Sequence, residues 1–238
     1  MSKPFTPIQL ALRAHSSSAR ATAAKRYFKT GPGQYGEGDR FLGVTVPDTR
    51  KVAKIYRDLP WSELEALLTS PWHEERLLAL IIWVARYQKG DAATREEIVY
   101  RYLAHTKWIN NWDLVDTSAP YIIGQHFVDD PKPLYALAKS TSLWERRIAI
   151  VSTLWLIRQG KYQLTFDIAD TLLTDAHDLI HKATGWMLRE VGKAAGEEVL
   201  EAYLTPRLSR LPRTTLRYAI ERFAEGKRKQ LMRKIGSF

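Results

Sequence analysis

Five positions recur along this chain at a nearly constant interval. Arg76, Trp112, Arg147, Lys182 and Arg217 follow one another at 36, 35, 35 and 35 residues. Each sits near the start of an apolar run with helical spacing, as in Arg76-Leu77-Leu78-Ala79, Arg147-Ile148-Ala149-Ile150 and Arg217-Tyr218-Ala219-Ile220. A period of about 35–45 residues with two helices per repeat is the signature of an α-solenoid, in which each repeat buries its apolar face against its neighbours. The spacing between these positions is helical as well. Leu77, Leu80, Ile81 and Trp83-Val84 form one apolar stripe, Ile148, Val151, Leu154 and Trp155 a second, and Leu216, Tyr218-Ala219 and Phe223 a third. No run alternates with the period of a strand.

Capping residues punctuate the pattern. Pro47-Asp48, Pro60-Trp61-Ser62-Glu63, Ser70-Pro71, Asp91, Asp130-Pro131 and Ser142 predict helix starts, and Gly90, Gly160 and Gly226 predict stops. The expectation is an all-α fold of roughly a dozen helices. It is an α-solenoid of HEAT-like helical repeats forming one domain over residues 1–238, curved, with a basic concave face. Stacked repeats bring equivalent positions to one surface, so the recurring cations form a ladder interrupted by Trp112.

Charge gives that surface a partner. Lys and Arg number 36 against 26 Asp and Glu, a net +10, and the pI is about 9.7. Such an excess favours nucleic acid, then an anionic membrane surface. A cation ladder would hold phosphates without reading sequence. Cysteine is absent. Disulfides, thiolate nucleophiles and Cys-ligated zinc are excluded, and a reducing cytoplasmic setting is expected. The first residues carry no signal-peptide core, and the most apolar run, Leu77 to Ala85, is too short to span a bilayer.

The segment Lys107-Trp108-Ile109-Asn110-Asn111-Trp112-Asp113-Leu114-Val115-Asp116 carries the clearest chemistry. On a helix, Trp112 and Asp116 stack one turn apart. An indole beside a carboxylate suits a cationic ligand, because the aromatic face attracts the cation and the carboxylate stabilises positive charge. The structural alternative has Asp116 salt-bridged to Arg147 or capping a neighbouring helix, with Trp112 and Trp186 as packing residues. Arg147 itself reads as a phosphate clamp or half of an internal ion pair.

Other motifs are weaker. His177-Asp178-Leu179-Ile180-His181 approaches the HExxH zinc pattern, but Asp is shorter than the usual Glu base and no third ligand is evident. No GxSxG elbow is present. His15, His73, His105 and His126 read as surface or packing residues. The glycine-rich stretch Thr30–Asp39 lacks the GxxxxGK[ST] phosphate-loop pattern and reads as a plain connector, with a mobile loop near a ligand face as the alternative. Lys227, Arg228, Lys229, Arg233 and Lys234 either touch phosphates or form a solvated final helix.

Together, Asn111-Trp112-Asp113-Leu114-Val115-Asp116, Trp144-Glu145-Arg146-Arg147-Ile148-Ala149-Ile150 and Lys182-Ala183-Thr184-Gly185-Trp186-Met187-Leu188-Arg189-Glu190 resemble the signature segments of the AlkD-type DNA alkylation-repair glycosylases. Lys25-Arg26-Tyr27-Phe28-Lys29 and Phe41-Leu42-Gly43-Val44-Thr45-Val46-Pro47-Asp48-Thr49-Arg50 resemble that family's N-terminal segments. The resemblance implies a HEAT-like solenoid holding duplex DNA in its concave face and excising cationic N3- and N7-alkylated purines. It implies Asp116 as the catalytic carboxylate, Trp112 and Trp186 flanking the lesion, Arg147 as a DNA contact and Tyr27 as the active-site tyrosine. Lys182, Arg189 and Arg76 are expected to join the DNA contacts. The expected protein is monomeric, with no cofactor and no metal, and its partner is double-stranded DNA containing alkylated bases.

Overall fold

The computed structural model describes residues 4–233. Among these the chain forms fourteen α-helices and no β-strand; an isolated bridge pairs Arg40 with Trp72. No described helix is long and apolar enough to cross a membrane. Lys234 lies outside the described residues. The chain divides into two compact units, Met1–Ser118 and Ala119–Phe238.

The first unit contains α1 (Pro7–Arg13), α2 (Ser18–Tyr27), α3 (Val46–Ile55), α4 (Trp61–Leu68), α5 (His73–Lys89), α6 (Ala92–Ala104) and most of α7 (Trp112–Ala119). Side-chain caps set several starts: Ser17, Thr45 and Asp91 accept from the amides of Arg20, Asp48 and Thr94. Helix α5 is central, packing against α3, α4 and α6 through Leu78, Leu80, Ile82 and Trp83.

The first turn of α5 is unusual, because His73, Glu74, Glu75 and Arg76 are all buried. Buried charge is costly unless paired, and each has partners. Glu74 accepts the backbone N–H groups of Leu42, Gly43 and Val44 at 2.9, 2.8 and 3.3 Å. Gly43 makes that turn at φ +74°, where a Cβ would lie 2.2 Å from the Ser17 carbonyl oxygen. Glu75 accepts from Gln9, Arg13 and Ser70, tying α1 to α5. Two carboxylates in a first turn also suit the positive end of the helix.

The second unit opens on a π-helical turn, Pro120–Gly124. It continues through α8 (Lys132–Ala138), α9 (Leu143–Ile157), α10 (Gln163–Thr171), α11 (Asp178–Ala195), α12 (Glu197–Leu204), α13 (Arg213–Ala219) and α14 (Glu225–Arg233). Short helices alternate with the long α9 and α11, as a two-helix repeat requires. Helix α9 packs on the π turn, α8, α10 and α11, while α11 packs on α12 and α13. Ile148, Ile150, Val151, Ile168, Ile180, Met187, Leu188 and Leu216 fill this core. The backbones of α11 and α13 approach closely at Gly185, where an added Cβ would lie 2.5 Å from both the Thr215 carbonyl oxygen and Tyr218 Cβ.

Asp91 and Ser142 cap α6 and α9 as predicted. Gly226 does not stop a helix. It lies inside α14, and α13 has already ended at Ala219. A stop absent from the predicted set is Gly196, at φ +105° between α11 and α12.

Candidate functional site

Helix α7 begins at Trp112 because Asn111 ends what precedes it. The buried Asn111 side chain accepts the Trp112 N–H through Oδ1 at 2.8 Å, and its carbonyl accepts from Val115 at 3.2 Å. Trp108 therefore falls outside the helix, in a 3-10 turn spanning Thr106–Trp108, and does not share a face with Trp112. Trp112 and Asp116 do lie one turn apart on α7.

Aromatic rings surround Trp112. Phe28 stacks on its indole, with centroids 5.4 Å apart and planes inclined 28°. Tyr27 meets the indole edge-on at 5.7 Å and is 66% exposed. The pair forms an aromatic ledge reached from solvent. Phe28 also stacks on Phe41 at 5.1 Å, and both lie against the His73 ring, at 4.8 and 4.9 Å.

A charged network lies behind the rings. His73 Nε2 contacts Asp113 Oδ2 at 2.7 Å and Nδ1 contacts Asp39 Oδ2 at 3.2 Å. Asp39 Oδ1 accepts from Arg76 Nη2 at 2.6 Å, and Asp39 Oδ2 accepts from Asn111 at 3.2 Å. Burial alone would lower the His73 pKa, but the charge and hydrogen bond of Asp113, with the Asp39 hydrogen bond, raise it to about 9. Burial would raise the Asp39 pKa; the hydrogen bond to His73 and the Arg76 charge lower it below the usual carboxylate value.

Asp116 is half-buried. Its charge reaches the fully buried Tyr102. Burial pushes that phenol's pKa well up, a hydrogen bond with Ser118 Oγ at 2.9 Å pulls it back, and the Asp116 charge adds to the rise. Tyr102 stays neutral beside the carboxylate.

The second unit places the remaining candidates on two helices. Arg147, on α9, is buried and donates to the Leu179 carbonyl at 2.7 Å, holding the start of α11. On α11, Trp186 is half-buried, Lys182 pairs with Asp178 at 2.7 Å, and Arg189 pairs with Glu221 and with Glu190.

Arg76, expected among the DNA contacts, lies inward at the head of α5. It is 2% exposed and bound to Asp39 and to the Ser70 carbonyl. Its charge is paired with the buried Asp39 carboxylate, which draws the guanidinium inward. Arg217, at the far end of the same series, is exposed.

The two histidines of the zinc-like motif have local partners. His177 Nδ1 accepts the Leu179 N–H at 3.1 Å, and His181 Nε2 meets the Asp175 carbonyl. Among the described residues, no group of three His, Asp or Glu is arranged for a metal.

Sequence reasoning passed over Phe28, Asp39, His73 and Asp113 as site residues. The available signal was the run His73-Glu74-Glu75-Arg76 at the head of an apolar helix, since four ionisable residues there must find partners.

A family model described as DNA alkylation repair enzyme matches residues 8–223. No curated protein matches the chain. A solved structure, a predicted DNA alkylation repair enzyme from Enterococcus faecalis, superposes with a TM-score of 0.70 at 19% identity, covering 89% of this chain and 98% of that one. At that identity the likeness is one of fold, a helical-repeat arrangement without strands. The family match runs from α1 to the end of the segment after α13, and the chain belongs to the DNA alkylation repair enzyme family.

Proposed function

We propose that the protein is a DNA glycosylase acting on cationic N3- and N7-alkylated purines in duplex DNA. Family membership supplies the substrate class, damaged DNA. The observation that carries the finer reading is the Tyr27–Trp112 ledge, with Asp116 one turn along the same helix. Aromatic faces and a carboxylate suit positive charge.

Alkylation at N3 or N7 makes the purine a cation and a good leaving group, so no general acid is required. The C1′–N bond breaks with its electron pair leaving on the base, and the sugar gains oxocarbenium character. Asp116 stabilises that charge and orients the water that attacks C1′, whose proton passes to the carboxylate or to solvent. Trp112 and Trp186 pack against the deoxyribose and the cationic nucleotide. Arg147, Lys182 and Arg189 serve the DNA backbone, with Tyr27 at the damaged site. The ion pairs of Lys182 and Arg189 open to accept phosphates, since partly exposed pairs are weak. The protein acts as a cofactor-free monomer.

The test is release of free base from duplex DNA containing N7-methylguanine, with Asp116→Asn alongside. Release by the parent and a loss of ~10-fold or more in the variant is expected. Tight binding without release from N7-methylguanine or N3-methyladenine DNA would make the protein a non-catalytic DNA-binding scaffold.

A further inference from the structure

The Asp39–His73–Asp113 chain has no part in the chemistry above. We propose that His73, held as an imidazolium between these two carboxylates, is a positioning residue. It fixes the first turn of α7 and thereby the Trp112 indole and the Asp116 carboxylate. The inference rests on the glycosylase reading and deepens it.

Both ring nitrogens face carboxylate oxygens, Nε2 at 2.7 Å and Nδ1 at 3.2 Å. A neutral imidazole carries one N–H and would turn a lone pair toward the other carboxylate. The imidazolium donates to both. Asp113 is the second residue of α7, and its other oxygen accepts the Leu114 N–H at 2.9 Å. Asp39 also receives the side chain of Asn111, which caps Trp112. The residues on either side of Trp112 therefore hang on the same buried pair.

A second route runs through the rings. Phe28 and Phe41 lie on the imidazole, and Phe28 continues onto Trp112. The charged groups facing His73 are Asp39 from the glycine-rich loop, Asp113 from α7 and Arg76 from its own helix. Arg76 opposes the imidazolium; the two carboxylates outweigh it and keep the ring protonated at neutral pH. Displacement of a reacting group by about 1 Å can cost ~100-fold in rate, so an anchor at the head of α7 has catalytic weight.

The test uses the whole protein. His73→Gln can donate to one carboxylate and carries no charge. Its single-turnover release of N7-methylguanine should fall ~10-fold or more, with the DNA Kd within roughly threefold and circular dichroism native. A wild-type rate in a folded variant overturns the proposal. A buried variant can fail to fold, so the unmodified protein supplies a second readout. Ring 15N shifts report His73 protonation from about pH 6 to about pH 10. The rate, divided by spontaneous release at each pH, should fall with the same midpoint. A neutral ring near pH 7, or a rate ratio flat through the ring's titration, overturns it. If the wild-type protein releases no base from N7-methylguanine or N3-methyladenine DNA, the glycosylase reading fails and this inference fails with it. Active wild type with an unaffected variant isolates the failure to His73.

Discussion

Arg76 Nη2 lies 2.6 Å from Asp39 Oδ1, with both side chains buried. Removing one member of such a pair strands the other in a low-dielectric site. Arg76→Ala should lose about 3–5 kcal/mol, read by urea denaturation. If Arg76→Gln folds, the salt dependence of its DNA binding should keep the parent slope. Loss of a true phosphate contact would lower that slope by about 1.

Stability should also depend on alkaline pH through His73. Its folded pKa of about 9 stands above the unfolded value near 6.5. The stabilisation is complete below the unfolded value and is lost as pH rises through the folded one. The difference corresponds to about 3 kcal/mol. Denaturation midpoints should fall between about pH 6.5 and pH 9, and His73→Gln should remove most of that slope. Asp39 works in the opposite direction. Its depressed pKa adds stability at neutral pH that disappears as the medium becomes acidic.

Gly185 allows α11 and α13 to meet. Gly185→Ala places a methyl against the Thr215 carbonyl and Tyr218, and neither backbone can yield freely. A loss of about 1–3 kcal/mol is expected despite the better helix propensity of alanine, visible as a lower Tm. Trp186 follows directly in sequence, so base release should fall as well.

Tyr27→Ala separates activity from stability. The ring is mostly exposed and touches Trp112 and Phe28 only by its edge. Stability should change by less than about 1 kcal/mol. Base release should fall ~10-fold if the ledge holds the damaged nucleotide. An unchanged rate would remove Tyr27 from the site.

Much of the helical framework was legible because local chemistry dictates it. Asp91 and Ser142 cap where a short acceptor must cap, and the stripes through Leu80 and Ile148 become buried cores. Gly226 misled because a glycine tolerated early in a helix looks the same in sequence as one that ends it. Trp108, four residues before Trp112, lies off α7 because the Asn111 side chain restarts the helix. Spacing placed Trp112 and Asp116 together, since four residues on one helix need no tertiary knowledge. Asp39 and His73 were illegible as a pair, because 34 residues and two helices separate them. Equal spacing promised Arg76 and Arg217 the same surroundings, but a carboxylate arriving from a distant loop gave Arg76 a different fate.

The turn at Leu42–Val44 presents three consecutive amides to the two oxygens of one carboxylate, an arrangement that elsewhere in proteins captures free anions. Here the captured anion is the chain's own Glu74. In a protein of net charge +10 whose ligand is lined with phosphates, an empty receptor of this kind would trap nucleic acid in unproductive registers. The internal glutamate fills it, so these amides are closed to any outside anion.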